Sequence, residues 1–362
     1  MYFHVIDANP ASRKGFSKLT AVAWVLHHYS VLRKLRKDNP SLIVMVNSLA
    51  HRQIAMGMIA KSLHLPLFVR LRGGMWREFS DKWHFKPFPI KQFFSGYLSL
   101  CHRLMLSLAD GIIPVSYFLK NQIICKTDID LGEIIPVYNP INSTAFDETQ
   151  EGNFRNNLKI PEHAKIMLTV TNFNYYKKYM GITYYLPAIL QVLRENQNWY
   201  FIIVGAGYSF ERARKSILEM VTEDMKDRII FTGYYKPIEE AFTDADIVVN
   251  LAFRETLGMV ILEAQAAGKP VVVNDFGGMP ELLQNRYDKP SCVIKEISEL
   301  YQSLTTLVNS EELREFIGRK NRQAVAKKFT NESIGHEFYR CINSLIGKQQ
   351  KCRSSQIAEK LS

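Results

Sequence analysis

The sequence lacks any apolar run long and clean enough to span a bilayer. Its longest candidate, residues 93–113, is broken by His102, Arg103 and Asp110, whereas a spanning helix needs about 20 predominantly apolar residues. The first residues also lack the basic start and apolar run of a secretory signal, so a cytoplasmic protein is expected. Cysteine is sparse. Cys101, Cys125, Cys292, Cys341 and Cys352 are scattered without paired or metal-like spacing. That distribution excludes a disulfide framework and fits a reducing compartment. No segment repeats at a solenoid period. Acidic residues are scarce in one half only: residues 1–137 hold 18 Lys and Arg against 8 Asp and Glu, whereas residues 138–362 hold 28 against 27. The first half therefore carries nearly all of the net charge of +11. A field of that kind attracts nucleic acid, an acidic membrane face or a phosphorylated substrate, and it is equally compatible with a merely solubilising surface. No recognisable nucleic-acid-binding module accompanies it, so no nucleic-acid partner is expected.

The chain has the material for two cores: 362 residues, 47% hydrophobic and 22% charged. Apolar β-rich runs alternate with helical patterns, the signature of parallel sheets with crossover helices. The first series predicts strands near residues 3–7, 42–47, 67–71, 111–115 and 133–137, with helices over 17–37 and 50–63. A turn-rich stretch over 139–164 reads as a linker. The second series predicts strands near 166–171, 200–204, 228–232, 247–250, 270–274 and 292–294. The helices among them are expected over 182–195, 210–222, 238–242 and 258–267. Three more helices follow, over 297–308, 311–328 and 331–346. The pattern predicts an α/β protein of two doubly wound parallel sheets, over 1–138 and 165–330. The helix over 331–346 is expected to return to the first domain, and 347–362 to form a frayed polar tail.

Chemistry concentrates in residues 244–283 (DADIVVNLAFRETLGMVILEAQAAGKPVVVNDFGGMPELL). A buried strand leads to a loop holding Glu255, Thr256 and Leu257. Gly258 then opens a helix that Gly268 and Pro270 end. This helix is apolar almost all round, so it must be buried, yet it carries Glu263. A buried carboxylate needs donors. Glu263 lies one turn above the helix N-terminus, where the amides of Gly258, Met259 and Val260 lack intrahelical acceptors. Ribose hydroxyls on Glu263 and a diphosphate on those amides would satisfy both sets. Pairing of Glu263 with a protein cation would satisfy the carboxylate equally well.

The segment resembles the donor-site signature of family 4 of the retaining glycosyltransferases. It reads Glu255, seven residues, Glu263-Ala264, then Ala266-Ala267-Gly268-Lys269-Pro270-Val271, Gly277-Gly278 and Glu281. The resemblance implies the GT-B fold, two Rossmann-like domains facing a cleft. It further implies that Glu255 contacts the donor sugar's hydroxyls and that Glu263 holds the nucleotide's ribose. Tyr200–Gly207 resembles the family's strand ending in a glycine turn at Gly205. Arg228–Gly233 resembles the strand whose following residue, here Tyr234, passes near the base. In Val170–Gly181 the family's Arg position is Asn172 and its Lys position is Lys177. Lys178 offers a second positive charge, and both lysines also read as solvated loop residues. The resemblance implies a nucleotide-diphospho-sugar as donor substrate, no cofactor, no metal and retention of configuration. The Asp-x-Asp patterns at Asp128-Ile129-Asp130 and Asp244-Ala245-Asp246 are too short to assign a metal.

The first half matches only in general. Lys14-Gly15, ahead of a helix, reads as a phosphate loop or as an ordinary flexible turn. Where many family members carry a cleft histidine, this chain has Arg70, Arg72 and Arg77 around Gly73-Gly74. Arg72 is the candidate for a phosphate or carboxylate contact, against a salt bridge to Glu78 or Asp81. Residues 82–106 interleave Lys82, Lys86, Lys91 and Arg103 with aromatics. They read either as a contact with an anionic membrane or as a covered helix with snorkelling lysines. The acceptor expected for the basic half is a lipid-linked phosphate intermediate or an acidic glycan. A sugar-nucleotide epimerase and a non-catalytic partner subunit of the same fold are the competing readings.

Overall fold

The computed structural model describes residues 18–39, 43–46, 51–73, 87–126, 133–149, 152–283 and 292–361. The strand expected near residues 3–7, the Lys14-Gly15 loop, Arg77 and Asp128-Ile129-Asp130 lie outside them. Two all-parallel sheets carry the described chain. In the N-terminal sheet β1 (Val44–Val46), β2 (Leu67–Leu71), β3 (Gly111–Pro114) and β4 (Glu133–Ile134) lie side by side in chain order. Helix α1 (Lys18–Asp38) precedes β1, and α2 (His51–Ser62), α3 (Phe88–Leu108) and α4 (Tyr117–Lys126) cross between strands.

The connecting stretch contains a short helix, α5 (Asn153–Asn157). The C-terminal sheet follows. Its six strands are β5 (Lys165–Val170), β6 (Trp199–Val204), β7 (Ile229–Gly233), β8 (Ile247–Asn250), β9 (Val271–Asn274) and β10 (Val293–Ile294). Its crossovers are α6 (Tyr176–Glu195), α7 (Phe210–Leu218), α8 (Ile238–Asp244) and α9 (Met259–Ala266). After β10 come α10 (Ile297–Val308), α11 (Glu311–Lys328) and α12 (Asn331–Leu361). The spatial order is β10-β9-β8-β5-β6-β7. The chain thus leaves β5 toward β6 on one side and returns to β8 on the other. Their carboxyl ends flank the topological switch point, where open α/β sheets bind ligands.

Burial explains the strand sequences. Strands β8 and β9 (IVVN and VVVN) are buried along their whole length, as strands covered on both faces must be. The N-terminal sheet is covered on both faces too, and β2 shows by what. A Cβ on Gly57 of α2 would lie 3.1 Å from Leu67 and 3.0 Å from Met105 of α3. A Cβ on Gly111 would lie 3.1 Å from Phe68 and 2.9 Å from Leu345 of α12. The last helix therefore packs on the N-terminal sheet, opposite α2 and α3.

Two boundaries differ from the sequence pattern by more than five residues. Helix α6 begins at Tyr176 rather than near Ile182, because its first turn is polar and aromatic and shows no apolar period. Helix α12 continues through Leu361 instead of fraying after Ile346; beyond Gly347 the sequence contains no Gly or Pro to stop it. The earlier start of α6 matters. A Cβ on Gly181 would lie 1.7 Å from the Leu251 carbonyl. Only glycine allows this contact, which seats the first turn of α6 against the end of β8.

Candidate donor site at the switch point

The loops at the carboxyl ends of β5, β6 and β7 are joined backbone to backbone. Gly205 has φ +142°, and a Cβ there would lie 1.9 Å from the Thr171 carbonyl. Its amide donates to Gly233 O at 2.9 Å. Gly233 itself has φ +69°, a left-handed turn that suits glycine, and leads to Tyr234. That ring is exposed and lies under the Lys236 ammonium, 5.8 Å from its centroid. Asn172 accepts the Asn174 amide at 2.9 Å, and Asn174 accepts the Tyr208 amide at 2.8 Å. Asn172 thus organises its own loop and supplies no positive charge.

The loop after β8 closes over α6. Phe253 N donates to Lys177 O at 2.9 Å, and the Lys178 ammonium pairs with Glu255 at 2.9 Å. The other Glu255 oxygen accepts the Thr256 amide at 3.1 Å. Of the two lysines, Lys178 is the one on the Glu255 carboxylate, and Lys177 is exposed beside it on the same helical turn. Beneath them runs the Gly277-Gly278 turn. A Cβ on Gly277 would lie 1.9 Å from Glu255 O, and one on Gly278 would lie 2.2 Å from Thr256 O. Leu257 is buried in the core, so it can offer a ligand its amide and not its side chain. Gly258, at φ +94°, turns the chain into α9. The first-turn amides of Met259 and Val260 have no acceptor within the helix, and the positive end of its dipole lies there.

Glu263 stands one turn further along α9. Burial, reinforced by the neighbouring Glu239 carboxylate, pushes its pKa up to about 7. Among the described residues no cation pairs with it. A half-buried carboxylate with no partner charge is costly unless it takes a proton or accepts hydrogen bonds from a ligand.

The N-terminal domain meets this loop directly. Ser116 Oγ donates to Thr256 O at 2.6 Å, and Thr256 Oγ1 donates to Arg72 O at 3.1 Å. Glu281, from the turn after Gly278, accepts the amides of Phe118 at 2.6 Å and Tyr117 at 2.8 Å, with the Tyr138 hydroxyl at 3.1 Å. A carboxylate of one domain thereby caps helix α4 of the other. Nothing in the local pattern around Glu281 reveals a partner so distant in sequence. The arginine cluster divides. Arg72 is exposed at the cleft, whereas Arg70 is buried and donates to Val137 O at 2.6 Å, Tyr138 O at 3.1 Å and Asn139 Oδ1 at 3.0 Å. Burial, then the charge of Arg72, lowers the Arg70 pKa to about 10. Both carboxylates of Asp244-Ala245-Asp246 are engaged by backbone. Asp244 accepts the amides of Gly152 and Arg155, and Asp246 accepts that of Ile166.

Known proteins share both the site segment and the fold. Residues 150–324 match the family described as glycosyl transferases group 1. The chain is 25% identical over 239 residues to N-acetyl-alpha-D-glucosaminyl L-malate synthase of Bacillus anthracis, covering 65% of this chain and 60% of that protein. This chain thus spans about three fifths of that relative's length. It is 23% identical over 343 residues to N,N'-diacetylbacillosaminyl-diphospho-undecaprenol alpha-1,3-N-acetylgalactosaminyltransferase of Campylobacter jejuni, covering 92% of this chain and 84% of that one. Among solved structures, Anabaena HepE in complex with UDP and glucose superposes with a TM-score of 0.67 at 16% identity, over 91% of this chain and 84% of that one. The architecture is GT-B.

Proposed function

We propose that this chain, whose residues 150–324 match the family described as glycosyl transferases group 1, moves a sugar from a nucleotide-diphospho-sugar to an acceptor in the cleft, with retention of configuration. The observation that carries this reading is Glu263, an unpaired half-buried carboxylate one turn above the left-handed Gly258, at the switch point of the sheet. Glu263 takes the ribose hydroxyls. The amides of Gly258, Met259 and Val260, with Lys177 and Lys178, take the diphosphate and its developing charge without a metal or cofactor. Glu255, oriented by Lys178, receives the sugar's hydroxyls, with the Thr256 and Leu257 amides beside it. Gly205, Gly233 and Tyr234 form the wall toward the base. Arg72 faces the acceptor side, and the leaving phosphate assists deprotonation of the acceptor. Cleft closure limits hydrolysis.

The acceptor we propose is a lipid-linked phosphate or an acidic glycan, met at the cytoplasmic face of a membrane. The Campylobacter relative's name includes a diphospho-undecaprenol acceptor, and the N-terminal half carries the positive charge. Asn172, committed to its own loop, favours the alternative of a non-catalytic partner subunit. Incubation with a panel of labelled nucleotide sugars separates the readings. Transfer, or slow hydrolysis releasing the nucleoside diphosphate, is expected. Epimerisation of the sugar, or no consumption of any donor, would overturn the proposal.

A further inference from the structure

Helix α3 buries Cys101, Met105 and Leu106 but also carries apolar residues on its outward side. Phe93, Tyr97, Leu100 and Leu104 recur at spacings of four, three and four residues, which puts them in one stripe along the helix. They are 73%, 44%, 56% and 46% exposed. At 1.5 Å per residue the stripe is roughly 16 Å long. Helix α3 packs against α2, and α2 against α1. Those helices continue the pattern, with Met58 of α2 61% exposed and Leu26 of α1 64% exposed. The opposite face of the sheet is covered by α12, so among the described residues this helical layer is the outer wall of the domain.

Charge identifies what covers the wall. The sequences of α1, α2 and α3 hold nine Lys and Arg against one acid, Asp38. Arg33, Lys34 and Lys37 of α1 and Arg103 of α3 are exposed. Asp110, at the start of β3, is already paired with Lys61 at 2.6 Å. A second copy of the chain would set the same excess of positive charge against itself in a two-fold contact. A bilayer with anionic headgroups offers an apolar layer for the stripe and negative charge for its flanks.

We infer that the outer face of the α1–α2–α3 layer docks on an anionic membrane surface, with the α3 stripe entering the headgroup region. The docking takes its purpose from the proposed lipid-linked acceptor, but the observations behind it are independent of the donor site.

Co-sedimentation with phosphatidylcholine vesicles, with and without phosphatidylglycerol, tests it. The wild type binds the vesicles containing phosphatidylglycerol, and salt weakens that binding. Combined Phe93→Asp and Leu100→Asp lowers partitioning by about tenfold or more. Combined Arg33→Ser, Lys34→Ser and Lys37→Ser lowers it and flattens its salt dependence. Phe316→Asp, on an exposed apolar residue of α11, leaves it unchanged. Equal binding to neutral and anionic vesicles, or wild-type partitioning by the α3 variant, would overturn the inference. So would a vesicle-free dimer that the α3 variant converts to monomer, since the stripe would then be an interface between copies. Nucleotide binding measured on the same variants without vesicles stays at the wild-type level. Its loss in the wild type would count against the donor site and not against the docking face.

Discussion

The carboxyl ends of the two sheets are built by different means. In the C-terminal domain the loops lock onto one another by close backbone approach. Gly181 lies on Leu251, Gly205 on Thr171 and Gly277 on Glu255, each at a distance that forbids a Cβ. The N-terminal domain makes its side of the cleft from long-range polar contacts: Arg70 on the carbonyls after β4, Ser116 on Thr256, and α4 capped by Glu281 from the other domain. One half is fixed by its own backbone contacts. The other is held in place partly by its partner. Rigid placement of reacting groups and relative motion of domains are both required of an enzyme that must exclude water and then release product.

Breaking each half should therefore have a different signature. The largest effect is expected from Glu255→Gln. This substitution leaves Lys178 without its counter-charge and withdraws the proposed contact to the sugar. Turnover should fall by roughly 10²–10³-fold while nucleotide affinity changes little; steady-state rates beside direct binding measurements check this. Glu281→Ala acts on the other half. It removes the cap of α4 and should lower stability by about 1–2 kcal/mol, read by urea unfolding. Donor binding should persist in this variant, because no donor contact is touched. A stability loss from Glu255→Gln as large as that from Glu281→Ala would erase the distinction between the two halves.

The C-terminal half was largely legible in sequence because its determinants are local. The apolar strands, Gly258 at the head of an apolar helix, and Glu263 one turn along it lie within a single stretch. The N-terminal half was less legible because its determinants are distant. Arg70 and Arg72 look alike in sequence, yet one is buried on the linker carbonyls and the other is exposed at the cleft. Glu281 could be seen as part of a motif, but its partners at Tyr117 and Phe118 could not. Which of the two lysines reaches Glu255 depends on where α6 begins, and the close contact at Gly181, which no periodicity reports, fixes that end of the helix against the residue after β8.

The central claim is that Glu263 is kept unpaired for a nucleoside. Its pKa, raised to about 7, means that the folded protein favours the protonated form. The associated stability is present below the ordinary carboxylate range and is lost as pH rises through about 7. A ribose that donates hydrogen bonds prefers the ionised form, so affinity should run the opposite way. The direct measurement is calorimetric titration with a nucleotide-diphospho-sugar, whose phosphates do not titrate in this window, between about pH 5 and 8. Wild-type affinity should rise by up to about tenfold per pH unit below 7 and then level off. Glu263→Gln should flatten that profile and bind roughly 10–10²-fold more weakly at the plateau. An identical profile and affinity in wild type and Glu263→Gln would contradict the account.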